Sequence, residues 1–109
     1  MADKPLAALL GRDARYSGDL SFDGRVRVDG TFTGRISTDD VLEIGQPGRV
    51  DGQIDAHTLI VSGTVDGEVR CRGVLVITAT GTVRGKVDAA QMEVEPGAHL
   101  DAVVRVGVT

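Results

Sequence analysis

Residues Gly63-Thr64-Val65-Asp66-Gly67-Glu68-Val69 form a seven-residue motif in which small or apolar residues alternate with polar ones. Alternation with a period of two is typical of a β-strand that buries one face. The motif recurs at residues 30–36, 48–54 and 81–87, and degenerate copies lie at residues 16–20 and 98–104. The chain is therefore built from one repeated strand unit.

A second motif, an apolar pair separated by one residue, lies between the copies. The pairs are Val26/Val28, Leu42/Ile44, Leu59/Val61, Leu75/Ile77 and Met92/Val94. Their first members stand at positions 26, 42, 59, 75 and 92, so the spacing alternates between 16 and 17 residues. A repeat of this length predicts an all-β solenoid of about six coils, in which each coil buries its apolar face against its neighbours. About 17 residues in three short sides make a small triangle whose apolar filling leaves no room for a ligand cavity.

The alternation also assigns residues to the interior or the surface of each coil. A corner, where a missing side chain lets the strand bend, is predicted at the central glycines Gly34, Gly52, Gly67 and Gly85. Cys71 shares an inward position with small residues of other coils, so it is interpreted as a packed core thiol and not a nucleophile. The outward rows are mostly polar. Ile60 and Val76 are the exception, and they are predicted to form an apolar pair that is a candidate lateral contact.

Composition limits the function of the chain. Its 109 residues form one domain with few aromatic residues, namely Tyr16, Phe22 and Phe32. The net charge of −4 argues against direct contact with nucleic acid, because phosphate contacts need a basic surface. The single cysteine excludes an internal disulfide and fits a reducing compartment. No signal peptide or membrane-spanning segment is evident, so we predict a cytoplasmic protein.

The sequence contains no pattern typical of catalysis or metal binding. His57 and His99 are the two histidines, and neither has a nearby partner that would make a nucleophile–base pair or a metal site. The Gly-x-Val-x-Gly runs do not precede a helix, so they are not interpreted as phosphate loops. We predict neither an enzyme nor a cofactor. The enzymatic alternative is a left-handed β-helix acyltransferase, but those folds repeat a hexapeptide, whereas this chain alternates with a period of two.

Residues 1–15 lie outside the repeat and are predicted to form a flexible tail, while residues 16–109 form the β-helix domain. Within the tail, Leu6, Leu9 and Leu10 have the spacing of one face of a short helix that follows Pro5. Three interpretations stay open for this segment. It is a mobile tail or a flap over the first coil, a weak membrane anchor assisted by nearby basic residues, or a partner-binding segment.

The two ends of the solenoid are predicted to be polymer contacts, because neither has the polar cap of a monomeric solenoid. The C-terminal end is formed by Leu100, Val104, Val106 and Val108, and the N-terminal end by Tyr16, Leu20 and Phe22. Burial of roughly 250 Å² of apolar core yields about 6 kcal/mol, to which each main-chain hydrogen bond between subunits adds about 0.5–1.5 kcal/mol. The alternative is a monomeric or dimeric binding module whose Ile60/Val76 surface binds a partner while the tail caps one end.

Four stretches carry a resemblance to a known family. They are Gly18-Asp19-Leu20-Ser21-Phe22-Asp23-Gly24, Val26-Arg27-Val28-Asp29-Gly30, Val41-Leu42-Glu43-Ile44-Gly45 and Leu59-Ile60-Val61-Ser62-Gly63. The chain closely resembles the bactofilins from Leu9 to about Val106. The resemblance implies a right-handed, three-sided parallel β-helix that polymerises without nucleotide into non-polar filaments, often bound to the inner face of the membrane through a short N-terminal tail. It also implies a bacterial cytoskeletal scaffold that recruits cell-wall, polarity or chromosome-segregation proteins.

One position departs from the family. Many bactofilins carry a Phe in the last coil, regarded as part of the polymer contact, where this chain has Leu100 within Gly97-Ala98-His99-Leu100-Asp101-Ala102. Leucine is apolar and roughly as long as phenylalanine. We therefore expect the contact to persist with a different affinity.

Overall fold

The computed structural model describes residues 6–107 and contains ten β-strands in that span. In chain order the strands are β1 Leu6–Leu10, β2 Arg15–Phe22, β3 Arg25–Val28, β4 Thr31–Thr38, β5 Val41–Ile44, β6 Arg49–Ala56, β7 Thr58–Val61, β8 Thr64–Ile77, β9 Thr82–Val94 and β10 His99–Val106. Every pairing between them is parallel. Short and long strands alternate from β1 to β7, and β8 and β9 each join a long segment to the short segment that follows it. One coil consists of a short segment and the long segment after it.

Strands of successive coils stack in two columns, which run along the solenoid. The long-strand stack contains β2, β4, β6, residues 64–71 of β8, residues 82–89 of β9, and β10. The short-strand stack contains β1, β3, β5, β7, residues 74–77 of β8 and residues 91–94 of β9. These stacks give about six coils, and the predicted all-β solenoid is confirmed.

The core is the line of inward side chains that fills the coils. In β3, β5 and β7 buried residues alternate with half-buried ones, as the period-two pattern predicts. Phe32, Val50, Val65 and Val83 form one continuous inward row and each is 0% exposed. The core therefore extends through the solenoid as a thin column, and each coil depends on the coils on either side for its burial.

Thr38 is the buried polar residue of this core, at 2% exposure. Its hydroxyl donates a hydrogen bond of 2.5 Å to the carbonyl oxygen of Gly24 and accepts one of 3.3 Å from the backbone N–H of Asp40. The hydroxyl is thus satisfied, which removes most of the penalty of burying it.

The long strands carry a column of glycines in register, Gly18, Gly34, Gly52, Gly67 and Gly85. At Gly52 the backbone has a φ of 138°, and a Cβ would lie 2.0 Å from the carbonyl oxygen of Gly34. Both the conformation and the space therefore require glycine. The predicted corner residues, Gly34, Gly52, Gly67 and Gly85, all have a positive φ, and the corner itself stays a prediction.

The N-terminal segment differs from the prediction of a helical tail. Leu6–Leu10 forms strand β1, which pairs with β3 and completes the first coil. The helix prediction from Leu6, Leu9 and Leu10 is wrong, because this segment is extended and pairs with β3. A strand places adjacent side chains on opposite faces, so Leu9 and Leu10 do not share one apolar face. Leu10 is 7% exposed in the core and Leu9 is 55% exposed on the surface. Residues 6–15 therefore do not form a tail separate from the solenoid.

Candidate functional site

The C-terminal end of the solenoid exposes part of its apolar core. Val94 is 47% exposed and Val106 is 51% exposed, whereas their neighbours one coil below, Ile77 and Ala89, are 0% and 3% exposed. The other inward residues of this end are only partly buried against the core; they are Met92, Ala98, Leu100, Ala102 and Val104. The end therefore presents an apolar surface that a further coil would cover.

The backbone of the same end is open on one side. Strand β10 pairs with β9 and with no other described strand, so one of its edges has no β partner within residues 6–107. An unpaired edge in an extended conformation is a template for pairing with another chain. Apolar side chains and an open strand edge thus coincide at this end.

The N-terminal end has the same two properties with larger side chains. Tyr16, Leu20 and Phe22 of β2 are partly buried against the core, and β2 pairs with β4 alone among the described strands. The Tyr16 hydroxyl accepts a hydrogen bond of 3.2 Å from the backbone N–H of Gly11, which joins β2 to the end of β1. β1 thus forms part of this end face.

Of the residues predicted as polymer contacts, Leu100, Val104 and Val106 lie in β10 and Tyr16, Leu20 and Phe22 lie in β2; their role in a polymer stays a prediction. Val108 lies outside the described residues, and Leu6 lies in β1 with only its backbone described. Sequence reasoning did not assign Met92, Val94 and Leu10 to the end faces. Met92 and Val94 were visible as the last apolar pair of the repeat, and Ala8 with Leu10 forms an earlier pair that precedes Val26 by 18 positions.

The predicted lateral pair is present on the short-strand stack. Ile60 and Val76 are in register on neighbouring strands and both are half-buried. The next residues of the same row toward the N-terminal end are Glu43 and Arg27. The Arg27 guanidinium contacts Asp29 at 3.0 Å and Glu43 at 3.4 Å, and its hydrogen bond to Asp29 is the main cause of its raised pKa.

Titratable side chains elsewhere do not converge. His57 Nδ1 lies 3.1 Å from the Thr58 hydroxyl, and His99 lies on the outward side of β10. Within residues 6–107 no group of three or more His, Cys, Asp or Glu side chains could hold a metal ion. An open groove of about 540 Å³ crosses the long-strand stack, and its outward lining consists of polar and charged residues such as Arg35, Glu68, Lys86 and Asp88.

Cys71 is part of the core. It is 3% exposed, and its Sγ lies 3.2 Å from the carbonyl oxygen of His57 and 3.1 Å from that of Val74, the two acceptors available to its single proton. Burial raises the pKa of this thiol, because the thiolate is less well solvated in the core than in water. A raised pKa and low exposure disfavour the nucleophilic thiolate.

In the part of the chain that the structure describes, no helix is long and apolar enough to cross a membrane.

Comparisons with known proteins agree with this geometry. The sequence profile of the Bactofilin family, described as polymer-forming cytoskeletal, matches residues 8–105. The chain is similar to Thermus thermophilus bactofilin in a cryo-EM reconstruction of double helical filaments, with 29% identity, a TM-score of 0.84, and coverage of 92% of this chain and 99% of that one.

It is also similar to a crystal structure of a point mutant of Thermus thermophilus bactofilin, with 28% identity, a TM-score of 0.74, and coverage of 81% of this chain and 98% of that one. No curated protein matches the chain. The family match spans nearly the whole solenoid, from β1 to residue 105 of β10. The chain is therefore a member of the bactofilin family of polymer-forming cytoskeletal proteins.

Proposed function

We propose that this protein polymerises end to end, without nucleotide, into non-polar filaments that position partner proteins in a bacterial cell. The observation that carries the proposal is the pair of open ends, each with a partly exposed apolar core and an unpaired strand edge. Two such ends satisfy each other when subunits meet, because side-chain burial and main-chain hydrogen bonding are completed in the same contact.

The contact uses the residues assigned to the two ends. The C-terminal joint is formed by Leu100, Val104 and Val106, together with the exposed part of the Val94 side chain. Tyr16, Leu20 and Phe22 form the N-terminal joint. Burial of apolar area and strand pairing supply the driving force, and neither step consumes a nucleotide.

A non-polar filament follows when each end meets an identical end. Such a joint is symmetric: where one residue of the first subunit contacts another residue of the second, the reverse contact is also made. Along the filament, C-terminal joints then alternate with N-terminal joints. The filaments of the related Thermus thermophilus protein support assembly as such. The alternation of C-terminal and N-terminal joints has to be tested on this chain itself.

The test is electron microscopy of the purified protein after treatment with apyrase and EDTA. We expect filaments under these conditions, and subunit averages with a two-fold axis perpendicular to the filament. Small single particles at high protein concentration would refute polymerisation and favour a monomeric binding module. Filaments whose subunits all point one way would refute the alternating joints.

We further propose that the first residues of the chain attach the filament to the inner membrane surface. Leu9 is 55% exposed, and Arg12 and Arg15 are exposed within a few residues of it. Basic side chains beside an apolar one favour anionic lipid surfaces. Cosedimentation of filaments with anionic vesicles, compared with a variant lacking residues 1–5 and carrying Leu9→Ser, tests this; equal binding of the two proteins would refute it.

A further inference from the structure

A second groove lies on the long-strand stack at the N-terminal end of the solenoid. It has a volume of about 470 Å³ and is lined by six residues, Arg15, Tyr16, Ser17, Thr31, Thr33 and Arg49. Except for Tyr16, these are outward residues of β2, β4 and β6. The first groove of this stack contains carboxylates beside its cationic side chains, whereas no carboxylate from residues 6–107 lines the second. We call the second groove the arginine groove.

The strand register sets the arrangement of the side chains in the arginine groove. Arg15, Thr31 and Arg49 occupy one outward row on three successive strands. Neighbouring strands lie about 4.8 Å apart, so the Cα atoms of the two arginines are about 10 Å apart, with Thr31 between them. Ser17 and Thr33 are in register with each other in the next outward row. Two guanidinium groups therefore flank a patch of three hydroxyls.

The charges of these two arginines are not neutralised by a contact within the subunit. In the part of the chain that the structure describes, the side chains of Arg15 and Arg49 make no hydrogen bond or ion pair. Other arginines do: Arg27 is held in ion pairs at 3.0 and 3.4 Å, and Arg35 donates a hydrogen bond of 2.9 Å to the side-chain oxygen of Gln53. The arginine groove is therefore a local cationic site on a chain whose net charge is −4.

We propose that the arginine groove binds a phosphate monoester, supplied by a soluble compound or by a lipid headgroup. A guanidinium group binds phosphate oxygens through two parallel N–H···O hydrogen bonds, and serine and threonine hydroxyls donate to the same oxygens. A phosphate monoester carries a charge of about −1.5 to −2 at pH 7 and three acceptor oxygens, which match two guanidinium charges and three hydroxyl donors. A carboxylate has one charge and two oxygens, so it would leave donors of this groove unused.

Asp51 is the nearest carboxylate along these two outward rows, and it limits the affinity for an anion. It is exposed, lies two positions after Arg49 on β6, and is in register with Thr33. Its charge opposes an anion in the groove, although it forms no ion pair with Arg49. The groove belongs to a single subunit, so the inference goes beyond end-to-end assembly and does not depend on it.

Isothermal titration calorimetry of the full-length protein with glycerol 3-phosphate, at pH 7 and constant ionic strength, tests the site. We expect Arg15→Gln and Arg49→Gln each to weaken binding about tenfold or more, because each removes a charged hydrogen-bond donor. A matched control, Arg35→Gln, removes the same charge from the first groove and should bind as the wild type does. Asp51→Asn should bind about threefold more tightly, because the opposing charge is gone. Circular dichroism verifies that all four variants keep the β-sheet spectrum.

Vesicles distinguish the two sources of the phosphate. Phosphatidic acid carries a phosphate monoester and phosphatidylglycerol a diester, so a lipid ligand requires that wild-type protein cosediments more with phosphatidic acid vesicles and that Arg49→Gln abolishes this preference. Binding of glycerol 3-phosphate without such a preference would assign the groove to a soluble phosphate. Absence of both glycerol 3-phosphate binding and the lipid preference in the wild type would overturn the inference, as would equal binding by Arg35→Gln and Arg49→Gln. Membrane attachment through the first residues of the chain is tested with phosphatidylglycerol vesicles, so its failure would leave this site unaffected.

Discussion

Replacement of Leu100 by arginine distinguishes the stability of the coil from the stability of the joint between subunits. Leu100 is an inward residue of the last coil, in register with Val83 and partly buried against the core. In the isolated subunit its outer side is free of any described strand. An arginine there can lay its aliphatic part over the core and extend its guanidinium to water, so we expect the free energy of unfolding to fall by only about 1–2 kcal/mol.

The joint responds differently because it buries what the free end exposes. Val94 and Val106 are about half exposed, and covering half of such a side chain contributes about 1 kcal/mol. Four partly buried inward residues of the last coil, Met92, Leu100, Ala102 and Val104, contribute about 0.5 kcal/mol each. One end face therefore supplies about 4 kcal/mol and a joint of two faces about 8 kcal/mol, as upper values. Two unpaired guanidinium groups, each losing several kcal/mol of hydration and repelling the other, exceed this sum.

Sedimentation velocity and electron microscopy give the readout. With Leu100→Arg we expect assembly to stop at dimers joined through the N-terminal ends. A matched control, Thr82→Arg, places the same charge on the outward side of the strand beneath and should leave filaments intact. Circular dichroism verifies that both variants keep the β-sheet spectrum. Filaments as long as those of the wild type, formed by folded Leu100→Arg protein, would refute a joint built through this end.

Three further expectations concern the subunit. Deletion of residues 1–10 should lower the free energy of unfolding in urea by about 2–4 kcal/mol, because it removes the buried Leu10 and uncovers β3, where Val28 is in register with Leu10. Deletion of residues 1–5 serves as the control, and equal loss in both would contradict this role of β1. The raised pKa of Cys71 means that the folded state favours the thiol form, so this contribution to stability should be complete below the ordinary thiol pKa of about 8.5 and decline as the pH rises above it. A Cys71→Ala variant that declines equally would show that other groups cause the effect. Gly52→Ala should prevent regular stacking, because the new Cβ would lie 2.0 Å from the carbonyl oxygen of Gly34. In the control Gly18→Ala no atom lies within 4 Å of the new Cβ, so the substitution should cost only the strain of its φ, about 1–2 kcal/mol. Comparable melting temperatures of the two variants would contradict the steric argument.

The repeat could be derived from the sequence because every coil has the same pattern of inward apolar and outward polar residues. The pairs from Val26/Val28 to Met92/Val94 keep their inward positions, and Gly34, Gly52, Gly67 and Gly85 are in register with one another. Period-two burial leaves little freedom, because a slip of one residue would move an entire apolar set to the surface. The open ends followed from the same rule.

The first coil could not be derived because its signals conflict. Leu6, Leu9 and Leu10 have the spacing of a helical stripe, and a strand pattern would have to include Ala7 and Ala8, two small residues that give only a weak period-two signal. The connection to β2 also turns through Asp13, whose φ is 63°. This left-handed conformation favours glycine, so the aspartate gives no sequence signal for the turn. Pairing with β3 decides the outcome, and a tertiary contact of this kind is invisible in a single local window.

The glycine column has a further consequence for folding. A chain segment that joins the growing stack out of phase brings a side chain against the carbonyl oxygen of the preceding corner, and the column excludes it. A segment that skips one coil and pairs with the wrong strand still places its glycine over a glycine, so the column does not exclude this mispairing. Skipping a coil doubles the closed loop, which costs only about 0.6 kcal/mol of additional entropy. The order of the coils is therefore set by the shapes of inward residues such as Phe32 and Thr38, and at high concentration refolding chains can exchange coils with one another before those shapes have been matched.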